Sequence, residues 1–117
     1  MIGWGGHARV LREILRYDGV EVTAFVSPKR EREPTLASYK TDDDFISKKS
    51  PAQCVLVNGV GDLVDDKTRR TIFLKYKALG FSFLSVISSR AHISTTSVVK
   101  EGVQILNGAI VQVGCEI

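Results

Sequence analysis

Residues 93–117 read ISTTSVVKEGVQILNGAIVQVGCEI, and this stretch decides the fold. Ile93, Val99, Ile105, Val111 and Ile117 are branched aliphatics six residues apart. Four places after each of the first four stands a small or modest residue, Ser97, Val103, Ala109 and Cys115, and Gly102, Gly108 and Gly114 recur at the same step. A period of six with one aliphatic per unit is the pattern of a hexapeptide β-helix, in which each unit forms one side of a triangular coil and the aliphatic fills the interior. Three units close one coil, so the stretch makes little more than one turn of a solenoid. A solenoid is stabilised by stacking repeats on their neighbours. The chain is therefore expected to be a fragment, or an N-terminal module ending where its second domain begins.

Upstream, apolar spacing alternates between helical and extended periods. Met1, Ile2 and Gly3 read as the end of a strand. A helix is expected from His7 to Tyr17, with Val10, Leu11, Ile14 and Leu15 on one stripe and Asp18-Gly19 as its stop. Val20 to Val26 is a β-branched strand ended by Ser27-Pro28, and the charged run from Lys29 to Lys40, with Pro34 inside it, is expected to be a loop. Thr41 caps a short helix begun by Asp42, Asp43 and Asp44, whose charges suit a helix N-terminus. Gln53 to Asn58 is an apolar strand. A longer helix, starting at Val64 or Asp65 and stopped by Gly80, buries Ile72, Phe73, Tyr76 and Leu79. Phe81 to Ile87 is the last strand, and Ser88 to His92, including His92 itself, is a linker. The expected fold is α/β: a small Rossmann-like parallel sheet with flanking helices over residues 1–88, followed by the first coil of a left-handed parallel β-helix over 89–117.

Composition sets outer bounds. The 117 residues, 44% hydrophobic and 25% charged, suffice for one modest core. No apolar run reaches the length of a membrane span, and no charged-then-apolar leader opens the chain, so a cytoplasmic protein is expected. The net charge of +3 is spread along the chain, with clusters at Lys29 to Arg32 and Lys67 to Arg70 that read as solvated faces rather than a nucleic-acid surface. Cys54 and Cys115 lack a partner at ligand spacing and read as small buried hydrophobes.

Chemistry concentrates in two glycine-bearing turns. Gly3-Trp4-Gly5-Gly6-His7-Ala8 lies between a strand end and a helix start, where glycines let backbone N–H groups approach a ligand and the helix N-terminus favours an anion. A phosphate site is the physical expectation, and tight strand-to-helix packing is the alternative. The spacing also satisfies the loose dinucleotide fingerprint G-x-G-x-x-G/A. The acidic residue that would bind ribose hydroxyls at the end of the second strand is replaced by Ser27-Pro28, which disfavours NAD and leaves an NADP-type 2′-phosphate on Lys29 or Arg30 as an alternative. His7 can donate to a phosphate or a sugar hydroxyl, or simply cap the turn. Asn58-Gly59-Val60-Gly61-Asp62 follows the end of another strand, in the crevice where open α/β sheets collect ligands. There Asn58 offers donor and acceptor, Gly59 and Gly61 free the backbone, and Asp62 is an alternative helix cap. The three adjacent aspartates start a helix rather than hold a metal.

The Gly-x-Gly-Gly-His-Ala turn, the Asn-Gly-Val-Gly turn after an apolar strand and the downstream hexapeptides, in this order, resemble the sialic acid O-acetyltransferase (NeuD-like) family, which includes bacterial acetyltransferases acting on UDP-4-amino-sugars. The resemblance spans Ile2 to Ile117. It implies an N-terminal domain of the PglD type that binds a nucleotide-sugar or sialic-acid-type acceptor, followed by a β-helix that forms a homotrimer and binds acetyl-CoA between coils. Carried over to this chain, Gly3, Gly5, Gly6 and His7 match the family's first turn, and Asn58, Gly59 and Gly61 its second. The departures are as informative. Only Met1 and Ile2 stand for the first strand, Ser27-Pro28 replaces an acidic closure, Ser88-Ser89 replaces His-Pro, and the family's catalytic histidine falls beyond Ile117. No catalytic residue and no metal ligand is therefore assigned, and the chain is expected to bind a sugar nucleotide without catalysing. A redox dinucleotide domain and a non-catalytic relic or interaction module are the alternatives.

Overall fold

The computed structural model describes residues 1–29, 33–61 and 66–117, the Asp66 side chain excepted. Arg30, most of the first basic cluster, the Asp62 cap and the helix start at Val64 or Asp65 lie outside the described residues. Helix α1 (Gly6–Tyr17) buries Ala8, Leu11, Ile14 and Leu15. Val10, expected in that stripe, stays 42% exposed. At about 100° per residue it points well away from the face shared by Ala8, Leu11 and Leu15. The helix ends at Asp18, and Gly19 turns the chain with φ 77°.

Strand β1 (Ala24–Val26) is shorter than the expected run from Val20, its parallel register with the next strand starting at Ala24 and Ala37. The segment expected to be loop contains a strand, β2 (Ala37–Tyr39), paired in parallel with β1. It is an edge strand with only Tyr39 buried, so no apolar alternation announces it. Helix α2 (Asp42–Lys48) starts as expected, with the Asp44 amide donating to Thr41 Oγ1 at 3.1 Å. A 3-10 turn (Pro51–Gln53), closed by a Ser50/Gln53 capping box, replaces the first residue of the next expected strand. Helix α3 (Asp66–Ala78) buries Tyr76 fully and Ile72 and Phe73 partly. Leu79, expected in the core, falls past the helix end, where Gly80 reverses the chain, and is 46% exposed. Cys54 and Cys115 are free and half-buried rather than buried.

Parallel bridges extend the β1–β2 pair into a sheet: Ile2 pairs with Val26 on one side and with Asn58 on the other, and Leu56 pairs with Phe83. The spatial order is thus β2, β1, the Ile2 segment, the Leu56–Asn58 segment and Phe83. The direction of winding reverses at Ile2, which makes the gap between Ile2 and Asn58 a topological switch point. Side chains alternate across the sheet. Met1, Phe25 and Val57 pack with Leu11, Ile14 and Leu15 of α1, whereas Ile2, Val26, Leu56 and Phe83 pack with Phe45 of α2 and Tyr76 of α3. The result is three layers with a core on each face.

The expected strand from Phe81 to Ile87 divides its pairing. Phe83 joins the sheet, and strand β3 (Val86–Ile87) already pairs with β5 (Gln104–Ile105). Ile87 lies six residues before Ile93, so the aliphatic ladder begins one step earlier than the sequence reading had it. His92, read as linker, is in strand β4 (His92–Ile93), which pairs with β6 (Ile110–Val111), and Val98 bridges Glu116. Every one of these parallel pairs joins residues eighteen apart, three six-residue steps. Gly102, Gly108 and Gly114 sit at the turns between steps with φ of 74°, 77° and 71°, a conformation that L side chains rarely adopt. Their recurrence therefore reflects turn geometry.

Glu101 ties the repeat segment to α3 and the sheet, accepting from Lys77 Nζ at 2.8 Å and from the Phe83 amide at 2.7 Å. The Lys77 and Phe83 donors hold its carboxyl below the usual carboxylate range. A depressed carboxylate contributes stability above its unfolded pKa and loses it as pH falls through the folded one. Glu101→Gln is therefore expected to melt earlier than the parent near neutral pH, with the gap closing in acid. A gap independent of pH in thermal melts would contradict this.

Candidate functional site

The two glycine-bearing turns meet at the switch point. Gly3, Gly5, Gly6 and His7 from the first and Gly59 and Gly61 from the second line one open cleft of ≈ 620 Å³, together with Trp4, Val60 and the end of β1, Ser27-Pro28-Lys29. The sheet explains the meeting: parallel strands deliver their carboxyl ends to the same edge, and the Gly3 amide donates to Val26 O while the Gly59 amide donates to Ile2 O. Trp4 is 4% exposed, stacks on Phe25 at 4.4 Å and carries the Arg12 guanidinium over its ring, so the cleft has a rigid aromatic wall.

The glycines divide by what surrounds them. A Cβ on Gly59 would lie 2.8 Å from Ala8 Cβ and 2.9 Å from Ile2 O, and one on Gly61 would lie 3.1 Å from His7 Cβ. Gly3 combines φ +83° with contacts of 3.2 and 3.3 Å to Val60 and Gly59. Packing accounts for these three. Gly5 and Gly6 have nothing within 4 Å, and neither has a positive φ. Gly5 is the N-cap of α1 without a side-chain cap, and no acidic residue occupies the first turn. Open space and uncapped amides, in a cleft that Lys29 also lines, give an electropositive cradle.

Asn58 does not line the cleft. It is 5% exposed, its Nδ2 donates to Arg69 O at 3.0 Å and its Oδ1 accepts from the Val60 amide at 3.2 Å, so the amide is used in shaping the second turn. His7 does line the cleft, and its Nε2 lies 2.7 Å from Gln104 Oε1. Arg69 Nη1 stands 3.3 Å from the same nitrogen and donates to Val60 O at 2.9 Å. Gln104 escaped the sequence reading, and Arg69, in the cluster expected to be a solvated face, instead turns to the second loop and His7. The positions at Gln104's phase of the repeat are Val86, His92, Val98, Ile110 and Glu116, so nothing in the sequence marks it out. Of the three aspartates, Asp42 accepts from Tyr76 Oη at 2.7 Å and pairs with Lys75, and Asp44 pairs with Lys48 at 2.7 Å. No cluster of three His, Cys, Asp or Glu side chains suited to a metal occurs among the described residues, and none of the helices described is long and apolar enough to cross a membrane.

No protein-family model matches the sequence, nor does any curated protein. Solved structures do. PerB from Caulobacter crescentus, in complex with CoA and GDP-perosamine, is 27% identical with a TM-score of 0.80 over 99% of this chain and 54% of its own. A mutant of perosamine N-acetyltransferase from the same organism, also with CoA and GDP-perosamine, is 26% identical with a TM-score of 0.81 over 99% and 54%. The acetyltransferase domain of PglB from Neisseria gonorrhoeae is 26% identical with a TM-score of 0.82 over 98% and 56%. The chain thus spans about half the length of these acetyltransferases.

Proposed function

We propose that this chain is the nucleotide-sugar-binding part of an acetyl-CoA-dependent sugar acetyltransferase, with residues 1–88 as a Rossmann-like acceptor domain and 89–117 as the start of a left-handed β-helix. The carrying observation is that Gly5 and Gly6 stand uncrowded at the uncapped start of α1, where neither packing nor backbone strain calls for glycine. A diphosphate is the group that uses such space, with α1 amides and Lys29 as its partners. Gly3, Gly59 and Gly61 shape the cleft, and Asn58 braces it. The likeness to structures containing CoA and GDP-perosamine supports a nucleotide-linked amino-sugar as the ligand. A sialic-acid-type acceptor, homotrimer formation and a cytoplasmic setting belong to the same reading.

Acetyl-CoA would be the acetyl donor of the complete enzyme. Residues 87–117 make about one and two-thirds turns of eighteen residues. No acyl-transfer step is assigned to them.

The second reading, an NADP-type dinucleotide domain, draws on Lys29, which lines the same cleft where a 2′-phosphate would need a cation. Calorimetry separates the two. Saturable binding of GDP-perosamine or a UDP-amino-sugar with no heat from NADP is the expected result. Tight NADP binding alone transfers the assignment to a redox domain, and silence from every nucleotide leaves a module that only packs.

A further inference from the structure

We propose that Gln104 is a positioning residue that fixes which nitrogen of His7 faces the cleft, so that His7 accepts a hydrogen bond from a ligand hydroxyl instead of donating to a phosphate. The inference deepens the nucleotide-sugar reading and rests on it for the identity of the ligand. Gln104 Nε2 lies 2.6 Å from the Asn58 carbonyl oxygen. A carbonyl only accepts, so the amide nitrogen belongs on that side and Oε1 is turned to His7 Nε2, 2.7 Å away. An acceptor facing Nε2 requires the proton there. In the neutral ring the lone pair is then on Nδ1.

Arg69 pulls the other way, because its Nη1 can only donate and, beside the N–H given to Val60 O at 2.9 Å, has a second that would call for a lone pair on Nε2 at 3.3 Å. The Gln104 contact is the shorter at 2.7 Å and sets the proton on Nε2. No hydrogen bond reaches Nδ1 among the described residues. His7 lines the cleft beside Gly5 and Gly6. An acceptor nitrogen at that place repels phosphate oxygens and takes an O–H donor, which a sugar or ribose supplies and a diphosphate does not. The lock also joins the two parts of the chain, since Gln104 belongs to β5 and His7 to α1.

The test is long-range 15N–1H NMR of the His7 ring in the full chain, with GDP-perosamine titrations beside it. The neutral ring is expected to show a protonated Nε2 and a bare Nδ1, and Gln104→Met to show a tautomer mixture and about tenfold weaker binding. His7→Gln, whose amide reaches the Nε2 position, is expected to lose more affinity than His7→Asn, whose amide reaches the Nδ1 position. A proton on Nδ1 in the parent, or an unchanged tautomer in a folded Gln104→Met, overturns the proposal. If that variant does not fold, the parent spectrum and the two His7 variants decide. If the parent binds no sugar nucleotide, the ligand reading fails and the parent tautomer still decides the role of Gln104.

Discussion

Gly59→Val is expected to abolish the cooperative thermal transition, while Gly5→Val keeps the fold and loses the ligand. At Gly59 even a methyl group meets Ala8 Cβ at 2.8 Å, Ile2 O at 2.9 Å and Met1 Cγ at 3.0 Å. Two of these belong to the central strand segment, which cannot yield without breaking the Gly59 amide bond to Ile2 O at 2.7 Å. Overpacking costs about 1–3 kcal/mol when side chains can give way, and more when backbone must, against a total stability on the order of 5–15 kcal/mol. Gly5 has φ −81° and open surroundings, so valine there changes stability by no more than about 1 kcal/mol. Its isopropyl group instead fills the space proposed for the diphosphate and weakens GDP-perosamine at least about tenfold. Circular-dichroism melts and calorimetry on the two variants read both effects. Equal melting of the pair, or parental affinity in Gly5→Val, would refute the division of the glycines into packing and binding roles.

Tyr76→Ala carries the other large effect, about 3–5 kcal/mol of destabilisation. Tyr76 is 0% exposed and contacts Phe45, Phe81 and Phe83 edge-on, with ring centroids 5.5 to 6.4 Å away. Truncation empties the junction of α2, α3 and the sheet. Tyr76→Phe isolates the hydroxyl, which donates to Asp42 Oδ1 at 2.7 Å. Burial, and after it the Asp42 carboxylate, pushes the phenol pKa up. A raised pKa means that the folded chain keeps a proton the unfolded chain releases near about pH 10, so stability falls as pH rises beyond that point. Urea titrations are expected to show this alkaline loss in the parent and less of it in Tyr76→Phe. The same slope in both proteins would remove Tyr76 as its source.

The parts of the fold that were legible share a cause: one residue type recurring at a fixed period. The six-residue ladder, the α1 stripe at Leu11, Ile14 and Leu15, and the Thr41 cap each follow from a local rule that tertiary contacts leave in place. β2 was invisible because an edge strand with one buried residue carries no alternation. His92 was misread because two-residue strands are defined by a partner eighteen residues away and not by their own composition. At the site, the glycines announced the turns, but which of them pack and which stand open is a property of neighbours such as Ala8 and Val60. Gln104 was beyond sequence reasoning altogether, since its partners lie in α1 and in the second turn.

The constant offset between Val86 and Gln104, His92 and Ile110, and Val98 and Glu116 works as a reading frame in space. Inserting a single residue between Ile93 and Ile117 would turn each later aliphatic to the opposite side of its strand, because side-chain direction has a period of two. Excising a whole hexapeptide would leave the direction of every later aliphatic unchanged. Length change within the paired segments is thereby quantised in sixes, and other lengths fit only at the turns between them.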